Sequence, residues 1–258
     1  MRYFVVDSFT DTIFKGAPAG VCLLDRPTDD ALMQSIAAEN HLAETAFVLP
    51  AENGYSLRWF TPEVEVDLCG HATLASAYVL HHFVDKGADK VDFFTKSGTL
   101  SVAYHDGLFH MDFPARPPRR IDILPEFSEA VACDIKEAHL SRDLVLLVEN
   151  EAAVRGVTPD FDVMRRLSDG FGVMVTARGG DADFVSRFFA PKAGVPEDPV
   201  TGSSHCTLIP FWAQRLGKEE MVARQLSRRG GTIYCKHRGE RVIIAGRAAL
   251  YLTGTMNL

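Results

Sequence analysis

The sequence has no CxxC pair, no GxGxxG and no two histidines at metal-ligand spacing. Its five cysteines, Cys22, Cys69, Cys133, Cys206 and Cys235, are odd in number and scattered. That pattern fits neither a disulfide framework nor a thiolate zinc centre. His81 and His82 are adjacent, so they fall on different sides of a helix. No metal site and no cofactor is therefore expected. There is no basic excess either: the net charge is −7, which argues against a nucleic-acid partner. No apolar run approaches the ~18 residues of a membrane span. The opening MRYFVVDSF lacks the charged-then-apolar plan of a signal peptide. These absences predict a reduced, cytoplasmic protein without a membrane partner. What is present is an ordinary globular composition, 47% hydrophobic and 24% charged over 258 residues. That length allows one large domain or two small ones.

The chain is organised around a stretch that occurs twice. Arg58–Pro62, RWFTP, leads through an acidic loop to Cys69-Gly70-His71 and then to an apolar helix. Arg187–Pro191, RFFAP, leads through Glu197-Asp198-Pro199 to Gly202-Ser203-Ser204 and a second apolar helix. The second loop is three residues longer. A period this long is not a solenoid repeat, for which ~20–50 residues is usual. It predicts two similar lobes, each with a strand, a loop and a helix at its heart.

Pro114–Arg120, PARPPRR, breaks the pattern and reads as the linker between the lobes, 1–114 and 115–247. In the first lobe, Thr28 is the expected N-cap of a helix ending near Asn40, with Leu32, Ile36 and Ala37 on its buried side. Strands are expected over Arg2–Phe9, Gly20–Leu24, Glu44–Leu49 and Tyr55–Phe60, with three more between Val91 and Phe113. In the second lobe the pattern predicts a helix through Phe127–Ala138 and another opening at Pro159. Strands are expected at Leu144–Val148, Phe171–Thr176, Asp183–Phe189, Ile233–Lys236, Val242–Ala245 and Ala249–Thr253.

The two glycine-led helix starts are the candidate site. A helix N-terminus presents unpaired N–H groups and a partial positive charge, which suit a carboxylate. Glycine at Gly70 and Gly202 lets a ligand approach the backbone. A single copy is better explained by a glycine beginning a buried helix; two equivalent copies bring the two readings level, and the acids upstream of each tip the balance to a site. His71, in the first turn, is expected to stay neutral beside the helix dipole. Asp198, restricted by Pro199, would lie beside the second helix start. Glu44, at a strand start, becomes a general acid or base if it faces a cleft whose dryness raises its pKa. Cys69 sits where a two-thiol racemase would place one cysteine, but its counterpart before Gly202 is Thr201. A Cys/Cys mechanism is therefore not expected.

The stretches VDSFTDTIFKGAPAGVCLL, AAENHLAETAFVL, RWFTPEVEVDLCGHATLASA and EDPVTGSSHC together resemble the phenazine-biosynthesis PhzF-like family, relatives of diaminopimelate epimerase. The resemblance spans nearly the whole chain. It implies an α+β fold of two pseudo-symmetric lobes, each a curled, mostly antiparallel sheet around a central helix, with the site between them. It also implies that the last strand, within 248–258, returns to the first lobe. The family's characterised member is an isomerase that moves a proton along a cyclohexadiene carboxylate without cofactor or metal. By that resemblance Glu44 shuttles the proton, and His71, Asp198 and Ser203 shape and polarise the site. Gly70, Gly202, Ser204 and the segment at Ala17 would bind the substrate. Two positions depart from the family's usual GNPA and SET: Ala17 stands for Asn and Ala43 for Ser. Both remove polar groups near the expected site, so no particular substrate is carried over.

The expected activity is a cofactor-independent isomerase or epimerase acting on a small carboxylate by acid/base proton transfer. A dehydratase or lyase using the same carboxylates, and a catalytically silent small-molecule-binding protein, are the alternatives. Family members are commonly dimers, and a homodimer is expected here. Light scattering should return twice the 28.4 kDa chain mass. A single-chain mass across a wide concentration range would remove that expectation.

Overall fold

Arg2–Ser8, RYFVVDS, is rich in β-branched and aromatic residues, and all but Arg2 are buried. Its alternate residues serve two different helices. Tyr3 and Val5 pack with Met33, Ile36 and Ala37, whereas the Phe4 ring lies 5.1 Å from that of Phe83. A strand covered on both faces has to read as an almost continuous apolar run.

The computed structural model describes residues 1–258. The first elements are β1 (Arg2–Ser8), β2 (Ala17–Leu23), α1 (Asp30–Asn40), β3 (Glu44–Ala51), β4 (Gly54–Phe60) and β5 (Glu65–Val66). There follow α2 (Gly70–Phe83), β6 (Lys90–Thr95), β7 (Gly98–His105), β8 (Leu108–Pro114), β9 (Arg119–Ile121) and α3 (Pro125–Val131). Next come β10 (Ile135–Leu140), β11 (Leu144–Val148), α4 (Glu151–Gly156), α5 (Phe161–Arg166), β12 (Val173–Arg178) and β13 (Phe184–Phe189). The chain ends with α6 (Gly202–Leu216), β14 (Glu220–Gln225), β15 (Gly231–Arg238), β16 (Arg241–Gly246) and β17 (Ala248–Thr255). No helix is long and apolar enough to cross a membrane. The chain forms two compact units, Met1–Asp112 with Ala245–Leu258, and Phe113–Ile244.

In the first unit β1 pairs antiparallel with both β2 and β17. The β2–β3 and β4–β6 pairs are parallel, and β3–β4 and β6–β7 are antiparallel. Parallel neighbours need a crossover, and α1 and α2 supply the two. α2 packs against β1, β2, β3 and β17. Its buried residues run from His71 through Ala77, with Val79 and Leu80. The small side chains Ala72, Ala75 and Ala77 let the sheet come close.

The second unit repeats this order. β10–β11, β12–β13 and β14–β15 are antiparallel, and β11–β12 and β13–β14 are parallel. α4 and α5 make the first crossover and α6 the second. Residues of α3, α4 and α5, among them Phe127, Val154 and Met164, pack with Val175 and Phe189. From the other side of β12, Thr176 accepts a hydrogen bond from Trp212 Nε1 of α6 at 2.9 Å. Pro210 lies inside α6 and has no N–H, which frees the carbonyl of Cys206 four residues back. The backbone N–H of Arg116 takes that carbonyl at 2.8 Å.

Several expected elements are corrected. Asp29, not Thr28, caps α1, accepting from the Ala31 N–H at 2.9 Å. Met33 takes the buried place assigned to Leu32, which is exposed. The helix drawn through Ala138 stops at Val131, where Ala132 turns left-handed, and Ile135–Leu140 becomes β10. Pairing with β11 outweighs the local helical reading there. The helix expected at Pro159 begins at Phe161 and is preceded by α4. The PARPPRR segment is not wholly a linker, because Arg119–Ile121 pairs with β10.

Gly246 shows how tightly α2 is covered. A Cβ there would lie 2.5 Å from Phe9 Cδ1 and 3.3 Å from Leu74 Cδ1. Phe9 is wholly buried, with φ 63°, and its N–H is bonded to Arg247 O at 2.8 Å, so it has nowhere to go. Gly246→Ala should therefore destabilise the protein by about 1–3 kcal/mol, the usual penalty for overpacking. A urea midpoint equal to the wild type would refute this.

Candidate active site

Each unit carries an arginine–glutamate fork just before its central helix. Arg58 on β4 donates to both oxygens of Glu65 at 2.7 and 2.8 Å. Arg187 on β13 does the same to Glu197 at 2.7 and 3.0 Å. Each guanidinium also lies over a phenylalanine two residues on, Phe60 at 5.2 Å and Phe189 at 5.0 Å. Bidentate pairing fixes both distance and orientation. The loops that lead to α2 and α6 are thus tied to their strands at equivalent places.

In the first unit the fork delivers Cys69 to the N-cap of α2. Its carbonyl accepts from the Thr73 N–H at 3.0 Å and the Thr73 hydroxyl at 2.6 Å. Ser8 on β1 donates to the His71 carbonyl at 2.7 Å. With its backbone held, His71 turns its buried ring so that Nε2 is 3.1 Å from Glu44 Oε2. Glu44 opens β3, and its side chain is only 20% exposed. The contact is close but poorly aligned, an ion pair more than a hydrogen bond, and Glu44 Oε2 is buried with no hydrogen-bond partner. Cys69 Sγ completes the cluster, 3.6 Å from His71 Nδ1 and 3.9 Å from Nε2. Ala17 starts β2 opposite Ser8 and is fully buried.

The charge states differ from expectation. Burial alone would strip the proton from His71, but Cys69 and Glu44 more than offset it and raise the pKa well above the ordinary imidazole value. Burial alone would raise Glu44, but His71 overrides it and the pKa falls. Burial, then the Glu44 charge, pushes Cys69 up. A neutral thiol lends no charge, so the carboxylate is what keeps the proton on His71. The imidazole is therefore charged, not neutral as the helix dipole alone would have it.

In the second unit Asp198 sits at the start of α6. Its backbone N–H donates to Phe188 O at 3.0 Å, and its Oδ2 accepts from the Thr201 hydroxyl at 2.7 Å. Gln225, fully buried on β14, clamps the turn: Nε2 donates to Asp198 O at 2.7 Å, and Oε1 accepts from Thr201 N at 2.9 Å. Ser204 and His205 both donate to Thr201 O at 2.8 Å. That bond places the proton of His205 on Nδ1, and burial lowers its pKa to about 4. Ser203, next to Gly202, is less buried, and Arg142 Nη2 lies 3.4 Å from its hydroxyl. Neither α2 nor α6 has an acidic residue in its first turn or a side-chain cap.

Residues 6–254 match the PhzC-PhzF family, phenazine biosynthesis-like protein. The chain belongs to this family. An uncharacterized isomerase of Pseudomonas aeruginosa is 49% identical over 258 residues, covering 100% of this chain and 99% of that one. The crystal structure of a PhzF family protein from Enterococcus faecalis superposes with a TM-score of 0.98 at 46% identity, covering 100% and 99% of the two chains. A predicted epimerase from Pseudomonas aeruginosa, at 20% identity and a TM-score of 0.73 over 99% and 98% of the chains, shares the fold. This PhzF-family chain thus has the α+β, epimerase-like fold.

The geometry brings Glu44, His71 and Gly70 together in one unit, and Asp198, Gly202, Ser203 and Ser204 in the other. Sequence reasoning missed the groups that hold them. Ser8, Thr73 and Gln225 carry no motif of their own, and Gln225 lies in a strand the sequence did not announce. His205 was visible in GSSHC, but its role depends on a carbonyl four residues back.

The ion pair makes stability depend on pH in a definite direction. The folded pKa of Glu44 lies below its ordinary 4.5, so its contribution is present above that value and is lost as pH falls through the lowered pKa. The folded pKa of His71 lies above its ordinary 6.5, so its contribution is full below that value and is lost as pH rises through the raised pKa. The stability gap between wild type and Glu44→Gln should be widest between these two values and shrink on either side. Denaturation midpoints that differ by the same amount at every pH would contradict the pairing.

Proposed function

We propose that this chain is an isomerase or epimerase-type enzyme that moves a proton on a small carboxylate-bearing substrate, with Glu44 as the acid/base and without a cofactor. The observation that carries this reading is the buried Glu44–His71 pair at the start of α2. The class is supported by the isomerase relatives named above.

Glu44 rests as a carboxylate beside an imidazolium, so it is ready to accept a proton from carbon. The imidazolium also weakens it as a base. A substrate that covers the exposed part of Glu44 removes water and shifts its pKa back up, toward the working range of a general base. The proton goes to a Glu44 oxygen, and the electron pair left on carbon delocalises into the conjugated carboxylate. His71 and the uncapped first turn of α2 favour the negative charge that develops there. Return of the proton to a different carbon, or to the other face of the same one, completes an isomerisation or an epimerisation. For the second unit the proposal is binding: the Ser203 hydroxyl and the backbone at Gly202 suit a carboxylate, and Asp198 suits a ligand group that donates to it, while Ser204, whose hydroxyl donates to Thr201 O, supports the turn from within. In the first unit Gly70 and the segment at Ala17 have the same role.

Cys69 is the competing proton carrier. Burial and the neighbouring carboxylate disfavour its thiolate, which supports Glu44 instead. Small carboxylates that raise the melting temperature should be assayed for turnover and for deuterium uptake from heavy water. Glu44→Gln should abolish both while still binding the ligand, and Cys69→Ser should lose far less. Near-normal turnover by Glu44→Gln would remove Glu44 from the mechanism.

A further inference from the structure

His71 and the two side chains beside it form a donor set that the sequence pattern did not reveal. A carboxylate oxygen of Glu44, the Cys69 sulfur and a ring nitrogen of His71 all lie within 4.8 Å of one another. His71 Nε2 is 3.1 Å from Glu44 Oε2 and 3.9 Å from Cys69 Sγ. With zinc–ligand bonds of ~2.0–2.3 Å in a tetrahedron, ligand atoms lie roughly 3.3–3.6 Å apart. The two spacings measured from His71 Nε2 bracket that range.

Three further observations favour a metal. Glu44 Oε2 is buried and faces into the cluster, 3.1 Å from His71 Nε2 in a contact too poorly aligned to be a hydrogen bond. The backbone at Cys69 and His71 is already held, by Thr73 and by Ser8, so binding needs no rearrangement of the chain. The set of one sulfur, one nitrogen and one oxygen suits zinc or cobalt rather than magnesium or calcium.

We infer that Glu44, Cys69 and His71 form a binding site for a zinc-class divalent cation. Occupation displaces the thiol proton of Cys69 and the imidazolium proton of His71 to solvent, and the thiolate and carboxylate then balance the charge of the ion. The ion occupies the carboxylate that the proposed reaction uses, so it inhibits rather than serves as a cofactor. That last step rests on the proposed function; binding itself does not.

The test uses the full chain, freed of metal with a chelator and then titrated with Co²⁺ and Zn²⁺. One equivalent of Co²⁺ should give a thiolate-to-metal charge-transfer band in the near ultraviolet, and Zn²⁺ should displace it. Cys69→Ser should abolish the band and weaken Zn²⁺ binding at least tenfold, whereas Cys133→Ser, which removes the least buried thiol, should change neither. In the wild type, bound Zn²⁺ should protect Cys69 from alkylation in peptide mapping, a readout that holds even if Cys69→Ser fails to fold. No stoichiometric binding, a band that survives Cys69→Ser, or no protection of Cys69 would overturn the site. For inhibition, one equivalent of Zn²⁺ should stop turnover and a chelator should restore it. An active zinc-loaded enzyme would remove the inhibition, and if Glu44→Gln were inactive the proton-transfer reading would stand.

Discussion

α2 has almost no polar face, and much of the first unit follows from covering it. Its side chains from His71 through Ala77, with Val79 and Leu80, are buried, so neighbouring strands must surround it. Two parallel strand pairs, each with a helical crossover, bring those strands round. The hydroxyls inside the helix stay satisfied without outside partners, because Thr73 and Ser76 donate to carbonyls one turn back. The polar groups without such a local answer gather at the helix N-terminus, where Cys69, His71 and Glu44 meet.

The second unit solves the same problem with different residues. α6 is also buried along most of its length. Its interior proline would leave an orphan carbonyl, and Arg116 supplies the donor. The arginine–glutamate forks recur at equivalent places, and in each unit they settle where the loop ends and the helix begins. What differs is the content of the helix start. The first unit holds an ion pair with a thiol, and the second a hydroxyl–carboxylate contact clamped by a buried glutamine.

The electrostatics of the first cluster show why neighbours outrank local position. A helix N-terminus disfavours an imidazolium, and burial disfavours it further. A carboxylate 3.1 Å away outweighs both, because a charge in a poorly solvated place is kept only if its partner is close. The same proximity lowers Glu44 although burial pushes the other way. A buried carboxylate is therefore tuned here by its partner first and by dryness second, and a change in either changes its basicity.

Much was legible in the sequence because it is local or repeated. The RWFTP and RFFAP stretches, the two glycines that open the central helices and the motif EDPVTGSSHC depend on residues near one another in the chain. They sufficed to mark α2, α6 and the family's fold and to bring forward His71, Asp198 and Ser203, whereas Glu44 came forward through the family resemblance of AAENHLAETAFVL. Elements whose stability comes from distant partners were not legible: β10 reads as helix until β11 pairs with it, and β9 reads as linker until β10 does. The clamp on Asp198 depends on Gln225, and the hold on His71 depends on Ser8, each far away in sequence. The charge on His71 was likewise beyond reach. The sequence determined which titratable groups exist and which secondary structures carry them; only the tertiary structure decided which of them lie within 4 Å, and for buried charges that distance sets the protonation state.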